Sequence, residues 1–445
     1  MSGFNEEINS NGHILYWCET DSSKQMQIPV RQNKILGMDL DWTLIRPIKG
    51  KIHPLDEHDW QFLYDAEHMR AISNKISTGY KLVIFTNQGG LLNNNHNHNH
   101  KKPGAGNGAK MDVEGFKRRW HIILDRLEQE YNIKPFALIA SLYDDFNRKP
   151  CCGMWEFLET MMHTKYDINI ERAASLYVGD MAGRKGDHSA SDLLFAMNLG
   201  VGFQVPEVFY GDEGSSLASN KTDYLVKQVL VDDKIFNPNK TITKQESIVI
   251  KRQSKINAAT RNEIIAGIED QHKQSLIIFV GSPASGKSSW YASYLKGLSG
   301  SRLIYLGMDT FNGTLGKFHK EVEANLKTGK NVIVDNTNGS SKAREKLATL
   351  AHGVNKDIQV IVVHFTTDKI VCLHLNALRT KMVNVCELQK KENCGHNVPA
   401  VAIHTYWKHF EKVDMDKEPE IDVVYSIVFE PRFSGLDEKI YQLII

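Results

Sequence analysis

Lys34-Ile35-Leu36-Gly37-Met38-Asp39-Leu40-Asp41-Trp42-Thr43 decides the reading of the first half of this chain. An apolar run of strand character ends in two aspartates set two residues apart, which puts both carboxylates on one side of the chain. Strand ends are where open α/β sheets collect ligands. A carboxylate placed there can attack phosphorus, and a second beside it can protonate the leaving oxygen and then activate water. Asp39 is therefore the expected nucleophile of an aspartate-dependent phosphatase, Asp41 its acid/base, and Thr43 a shaper of the loop. An Asp-x-Asp pair alone reads as a solvated turn; residues downstream give it weight.

Three further elements come in order, each at or just after a predicted strand end. Thr86, in Thr86-Asn87-Gln88, closes the run Leu82–Thr86 with a hydroxyl and amides suited to a phosphoryl oxygen. Lys149, in Arg148-Lys149-Pro150, is placed to balance charge on the nucleophile and the transferring group. Asp180 and Asp187 are expected to join Asp39 and Asp41 as oxygen ligands of one Mg²⁺, a hard cation.

The second half carries a different phosphate motif. Gly281-Ser282-Pro283-Ala284-Ser285-Gly286-Lys287-Ser288 matches G-x-x-x-x-G-K-S, between an apolar run and a helical stretch. Gly281, Ser282, Ala284, Ser285, Gly286, Lys287, Ser288 and Ser289 are the expected cradle for ATP. The glycines admit the phosphates to backbone N–H groups, and the helix start favours anions. Lys287 would reach the β/γ-phosphates, while Ser288 and Asp335, which ends Val332–Asp335, would hold Mg²⁺. Asp309 is the expected base toward an attacking hydroxyl, and Arg379 the expected lid residue facing transferring charge. A P-loop alone is shared by ATPases, GTPases and kinases.

Strand-like and amphipathic segments alternate through both halves, which predicts α/β architecture in two doubly wound domains. Strands are expected over Lys34–Leu40, Leu82–Thr86, Phe136–Ser141 and Leu176–Asp180, then Leu276–Gly281, Leu303–Leu306, Val332–Asp335 and Val360–Phe365. Helices are expected over Asp112–Tyr131 and Gly153–His163. The expected division is a polar tail over 1–12, a phosphatase domain over 13–225, a linker over 226–270 and a kinase domain over 271–445. The His/Asn-rich stretch 93–110 reads as a low-complexity surface insert.

With 54 basic against 53 acidic residues, the net charge of +1 gives no global field for a polyanion, so nucleic-acid contact must come from local clusters such as Arg118-Arg119 and Arg184-Lys185. The six cysteines lack a disulfide-framework spacing and read as reduced thiols. The N-terminus lacks a signal-like apolar stretch, and no run approaches the roughly 20 apolar residues of a membrane span. A soluble, intracellular protein with no membrane partner is expected.

On these residues the chain resembles the bifunctional polynucleotide kinase/3′-phosphatases. The likeness is carried by Gly37 through Ile45, Thr78 through Gln88, Arg148-Lys149-Pro150 with Gly153-Met154-Trp155, and Tyr177-Val178-Gly179-Asp180 with Asp187 and Asp192. Asp309-Thr310 and Val334-Asp335-Asn336-Thr337-Asn338 continue it in the second half. The resemblance implies a haloacid-dehalogenase-like phosphatase followed by a P-loop kinase, acting on 3′-phosphate and 5′-hydroxyl nucleic-acid ends, DNA favoured over RNA, with Mg²⁺ and ATP, in the nucleus. A 3′-phosphatase with a degenerate kinase half, or an enzyme of RNA end repair, is the alternative. Trp42 stands where the family usually has Gly, Met308 where it tends to have Arg, and His374–Arg379 keeps part of an arginine-richer lid pattern. The chain starts almost at the phosphatase motif, so no phosphopeptide-mediated recruitment through a forkhead-associated domain is expected.

Overall fold

The computed structural model describes residues 3–18, 33–49, 52–91, 111–211, 238, 262–263, 266, 273–296, 302–391, 397–428 and 440–445. The stretch 93–110 and nearly all of 226–270 lie outside the described residues. Two compact units divide the chain. The first is Met1–Asn237 with Arg379–His396 and Leu443–Ile445, and the second is Pro238–Leu378 with Asn397–Gln442.

The first unit is built on a seven-stranded sheet. In chain order its strands are β1 (Asn5–Asn9), β2 (Gly12–Cys18), β3 (Lys34–Met38), β6 (Tyr80–Asn87), β7 (Ala137–Ser141), β8 (Leu176–Val178) and β9 (Gly202–Gln204); β4 (Ile45–Arg46) and β5 (Gln61–Phe62) form a separate antiparallel pair. The sheet order is β1-β2-β7-β6-β3-β8-β9, parallel from β7 to β9 and antiparallel through β2 and β1. Residues 5–9, expected in a polar tail, are therefore an edge strand. Their exposed, charged side chains conceal it: an edge strand buries its backbone pairing, not its residues.

β3 sits mid-sheet and is covered on both faces. Ile35 belongs to one apolar layer, Leu36 and Met38 to the other. Gly37 between them is fixed by a close approach, since a Cβ there would lie 2.8 Å from a ring carbon of Tyr177. Helix Val113–Tyr131 begins one residue inside the expected span because Asp112 is its N-cap, accepting from Gly115 N–H at 2.8 Å. Helix Gly153–Tyr166 packs Met154, Trp155 and Leu158 onto the first layer, with Trp155 stacked on Phe85.

The second unit holds a wholly parallel sheet of β10 (Ser275–Val280), β11 (Leu303–Gly307), β12 (Asn331–Asp335), β13 (Gln359–Phe365) and β14 (Val423–Ile427), ordered β11-β12-β10-β13-β14. All six residues of β10 are buried: Leu276, Ile278 and Val280 face one apolar layer, Ile277 and Phe279 the other. Such a continuous apolar run is what a parallel strand covered on both faces requires. A buried ion pair braces the loop after β12. Arg344 donates to both carboxylate oxygens of Glu418 at 2.7 Å and to the Asn338 carbonyl at 3.2 Å, while Asn338 reaches back to the Phe279 carbonyl at 2.9 Å.

Cys18, Cys151, Cys152 and Cys372 are free and buried, as expected of reduced thiols. Cys386 departs from that expectation, being disulfide-bonded. Among the described residues no helix is long and apolar enough to cross a membrane.

Candidate active sites

In the first unit the catalytic loop starts where β3 ends. Asp39 N–H donates to the Val178 carbonyl at 2.9 Å, pinning the residue to the neighbouring strand. Its carboxylate accepts from Lys149 Nζ at 2.6 Å. That ammonium is almost fully enclosed and also donates to Asp192 Oδ1 at 2.8 Å, Tyr177 Oη at 2.8 Å and the Phe85 carbonyl at 3.0 Å. Tyr177 O–H donates in turn to Asp192 Oδ1 at 3.1 Å, and the other Asp192 oxygen accepts from Met181 N–H at 3.0 Å.

Asp39, Asp180 and Asp192 bring carboxylate oxygens within 4.8 Å of one another. Burial pushes Asp39 up to about 7, with Asp192 and Asp41 adding to the shift and Lys149 opposing it. Asp180 is raised further, to about 9, by burial and by the neighbouring carboxylates of Asp192 and Asp39. Burial alone would depress the Lys149 ammonium, but Asp192 and Asp39 outweigh it and raise it. Three hard oxygen donors crowded together, with Asp180 Oδ1 buried and without a hydrogen-bond partner among the described residues, fit a divalent cation. A cation there would reverse the carboxylate shifts.

Asp187, expected among the metal ligands, is not brought to this cluster. Its Oδ2 accepts from Ala182 N–H at 3.1 Å and from Arg184 N–H and Nε at 3.0 Å, so it ties the loop and clamps Arg184. Asp192 takes the place expected for it. Both lie in the same acidic segment; the difference is that Asp192 opens helix Ser191–Leu199 and is buried, pointing back under β8. A Cβ on Gly179 would lie 2.5 Å from the Asp192 carboxyl carbon, so this approach requires the glycine.

Asp41 stands apart from the three-carboxylate cluster. Its Oδ2 accepts from Gln88 Nε2 at 2.8 Å, and the same nitrogen donates to the Thr86 hydroxyl at 2.8 Å. Thr86 and Asp41, both expected at the site, are thus joined through Gln88, whose bridging role the sequence does not reveal. Trp42 occupies the left-handed region at φ 61°, the conformation a glycine would take without strain, and its indole N–H donates to the Ile52 carbonyl at 2.8 Å.

In the second unit the P-loop links β10 to helix Lys287–Tyr294. Ala284 and Gly286 take positive φ, 62° and 92°, turning successive N–H groups inward. A Cβ on Gly281 would lie 2.7 Å from Ser285 Oγ and 3.1 Å from the Phe365 Cβ, so the loop closes only on glycine. Lys287 Nζ folds over the loop, donating to the Gly281 and Ser282 carbonyls at 2.9 Å. Ser288 donates to Asp335 Oδ2 at 2.7 Å, and Tyr305 donates to the same oxygen. Burial and Asp335 together raise the Tyr305 phenol. Tyr291 stacks on Tyr305, with ring centroids 3.9 Å apart. Ser289 is exposed on the first helical turn.

Asp309 lies exposed in the turn after β11, and Met308 N–H in that turn donates to the Asp335 carbonyl at 2.9 Å. Arg379 is half-buried on helix Lys369–Leu388 and is grouped with the first unit, unlike the P-loop it was expected to face.

Residues 34–210 match the family model described as polynucleotide kinase 3 phosphatase, and residues 276–390 match that described as AAA domain. The chain is 26% identical over 372 residues to the bifunctional polynucleotide phosphatase/kinase of Schizosaccharomyces pombe, covering 82% of this chain and 76% of that protein. It is 25% identical over 435 residues to the putative bifunctional polynucleotide phosphatase/kinase of Acanthamoeba polyphaga mimivirus, covering 92% and 91%. The chain thus carries a polynucleotide kinase 3 phosphatase domain followed by an AAA domain, and it resembles the bifunctional polynucleotide phosphatase/kinases over most of its length. The polynucleotide 3′-phosphatase of Saccharomyces cerevisiae is 29% identical over 214 residues, covering 40% of this chain and 87% of that protein. The two matched domains imply use of a nucleotide and of a divalent metal, in agreement with the oxygen-donor cluster of the first unit and the P-loop of the second.

Proposed function

We propose that this protein heals broken nucleic-acid ends, hydrolysing 3′-phosphates in its first unit and transferring the γ-phosphate of ATP to 5′-hydroxyls in its second. The observation that supports this best is that each unit holds its own phosphate-handling site. Asp39 with Lys149 and Asp192 forms one, and Lys287 with Ser288 and Asp335 the other.

In the first site an Asp39 oxygen attacks phosphorus, the bond from phosphorus to the 3′-oxygen breaks, and Asp41 gives its proton to that departing oxygen. Water then attacks the aspartyl-phosphate while Asp41 takes a proton from it, which releases phosphate and restores Asp39. Lys149 holds the nucleophile in place and balances its charge. Mg²⁺ held by Asp39, Asp180 and Asp192 would neutralise negative charge on the transferring group.

In the second site the loop N–H groups and Lys287 receive the phosphates of ATP. Ser288 and Asp335 would hold the accompanying Mg²⁺, Asp309 would accept the proton of the 5′-hydroxyl, and Arg379 would act as the lid residue. The substrate we propose is DNA, in strand-break repair within the nucleus. Contacts to phosphates position such a strand without reading its sequence.

One assay tests substrate class and both activities: nicked DNA, single-stranded DNA and RNA, each with 3′-phosphate and 5′-hydroxyl ends, with Mg²⁺ and labelled ATP. Asp39→Asn should abolish 3′-phosphate removal and spare 5′-phosphorylation, and Lys287→Ala should do the reverse. Loss of both activities in either folded variant would defeat the reading of separate sites.

A further inference from the structure

Arg119 is the largest unexplained charge near the phosphatase site. It lies on helix Val113–Tyr131 with 1% of its surface exposed, and none of its three guanidinium nitrogens has a hydrogen-bond partner among the described residues. Guanidinium stays charged inside a protein, so burial without a partner is strongly unfavourable unless a counter-charge repays it. Among the described residues one carboxylate stands within ion-pair reach: Asp41, whose Oδ1 is 3.9 Å from Arg119 Nη1. That oxygen is itself buried and has no hydrogen-bond donor, while the other Asp41 oxygen is held by Gln88 at 2.8 Å. The Phe116 ring centroid, about one helical turn back, lies 5.2 Å from the guanidinium carbon and offers it an aromatic face.

We propose that Arg119 is a positioning residue of the phosphatase reaction, holding the Asp41 carboxyl group from its Oδ1 side so that its proton reaches the departing 3′-oxygen. This rests on Asp41 being the acid/base. Gln88 fixes one oxygen through a hydrogen bond; Arg119 fixes the other by charge, across a gap that leaves the group free to give and regain its proton. In the first half-reaction an Asp39 oxygen bonds to phosphorus, the 3′-oxygen leaves with its electron pair and takes the Asp41 proton, and Asp41 becomes an anion facing the guanidinium.

Leaving groups separate this role from a structural one. An alkyl 3′-oxygen needs the Asp41 proton, whereas p-nitrophenolate departs without it. In the full-length protein, Arg119→Met should slow single-turnover hydrolysis at saturating 3′-phosphorylated oligonucleotide by about tenfold or more, the scale of a misdirected general acid. The half-saturating concentration should move less than about twofold, and kcat/KM for p-nitrophenyl phosphate should fall less than about threefold. Arg119→Lys should recover part of the loss. Adding Arg119→Met to Asp41→Asn should cost little more than Asp41→Asn alone.

Equal losses on both substrates, or full additivity with Asp41→Asn, would overturn the proposal. So would a loss confined to half-saturation, which would make Arg119 a strand-binding residue. If Asp41→Asn itself fails to discriminate the two leaving groups, the acid role of Asp41 is wrong and this proposal falls with it. That outcome is read independently of any Arg119 variant. Circular dichroism of each variant, together with its retained p-nitrophenyl phosphate hydrolysis, reports that the first unit remains folded.

Discussion

Lys149 donates to Asp192 at 2.8 Å as well as to Asp39, the expected nucleophile, at 2.6 Å, so one buried ammonium holds two of the three carboxylates of the candidate metal site. The third, Asp180, has no such contact to Lys149 among the described hydrogen bonds.

This arrangement separates the two acidic residues that the sequence presents alike. Asp192→Asn should remove a cation ligand and an ammonium partner together, lowering phosphatase turnover at least about a hundredfold, the scale of losing one electrostatic element of a transition state. Asp187→Asn should retain most turnover but loosen the Arg184 loop. Titrating Mg²⁺ into both variants checks this: the half-activating concentration should rise sharply for Asp192→Asn and little for Asp187→Asn.

In the second unit, Tyr305 shares Asp335 Oδ2 with Ser288, and Tyr291 stacks on its ring. Tyr305→Phe keeps the stack and deletes one donor to the carboxylate. The expected outcome is a severalfold lower kinase rate, on the order of 1 kcal/mol for one hydrogen bond, with the phosphatase unchanged. Ser288→Ala should cost more, because that hydroxyl is also an expected metal ligand. Parallel kinase assays at saturating ATP rank the two variants.

The Arg344–Glu418 pair is buried and bidentate. Removing one partner leaves an uncompensated charge, so Glu418→Gln should destabilise the second unit by roughly 3–5 kcal/mol. Since Arg344 also holds the Asn338 carbonyl, kinase activity should be lost at a lower temperature than phosphatase activity in the same sample. Thermal inactivation followed with both assays checks this.

His374 is buried against the Tyr441 carbonyl, 3.1 Å from its Nε2, and burial pushes it from 6.5 down to about 4. An unfolded histidine takes up a proton at a higher pH than this folded one, so acid favours unfolding. Its contribution is intact above pH 6.5 and is lost as pH falls toward 4, about 3 kcal/mol in total. His374→Gln should flatten the acid limb of stability in that window, as urea titrations from pH 7 to pH 4 would reveal.

The eight strands read from apolar runs were legible because all but β11 bury most of their residues in a local pattern, as β10 does on both faces. β1, β2, β4, β5, β9 and β14 were not read: residues 5–9 are mostly exposed, 423–427 only partly buried, β4, β5 and β9 are two or three residues long, and β2, though buried, is fixed by its antiparallel pairing with β1 and β7. The site divides the same way. Asp39, Asp41, Thr86 and Lys149 sit at strand ends or in motif order, so spacing announces them. Asp192 replaces Asp187 because a helix start directs it under β8, and no count of acidic residues contains that direction. Arg119 is one of two adjacent arginines, and only the packing of its helix says that it faces inward.

Gln88 binds Asp41 and Thr86 through a single amide nitrogen. An amide, unlike a histidine or a second carboxylate, carries the same number of donors at every pH a cell or a repair site presents. The brace on the expected acid/base is therefore indifferent to acidity, so the group proposed to change its proton is steadied by a neighbour that cannot.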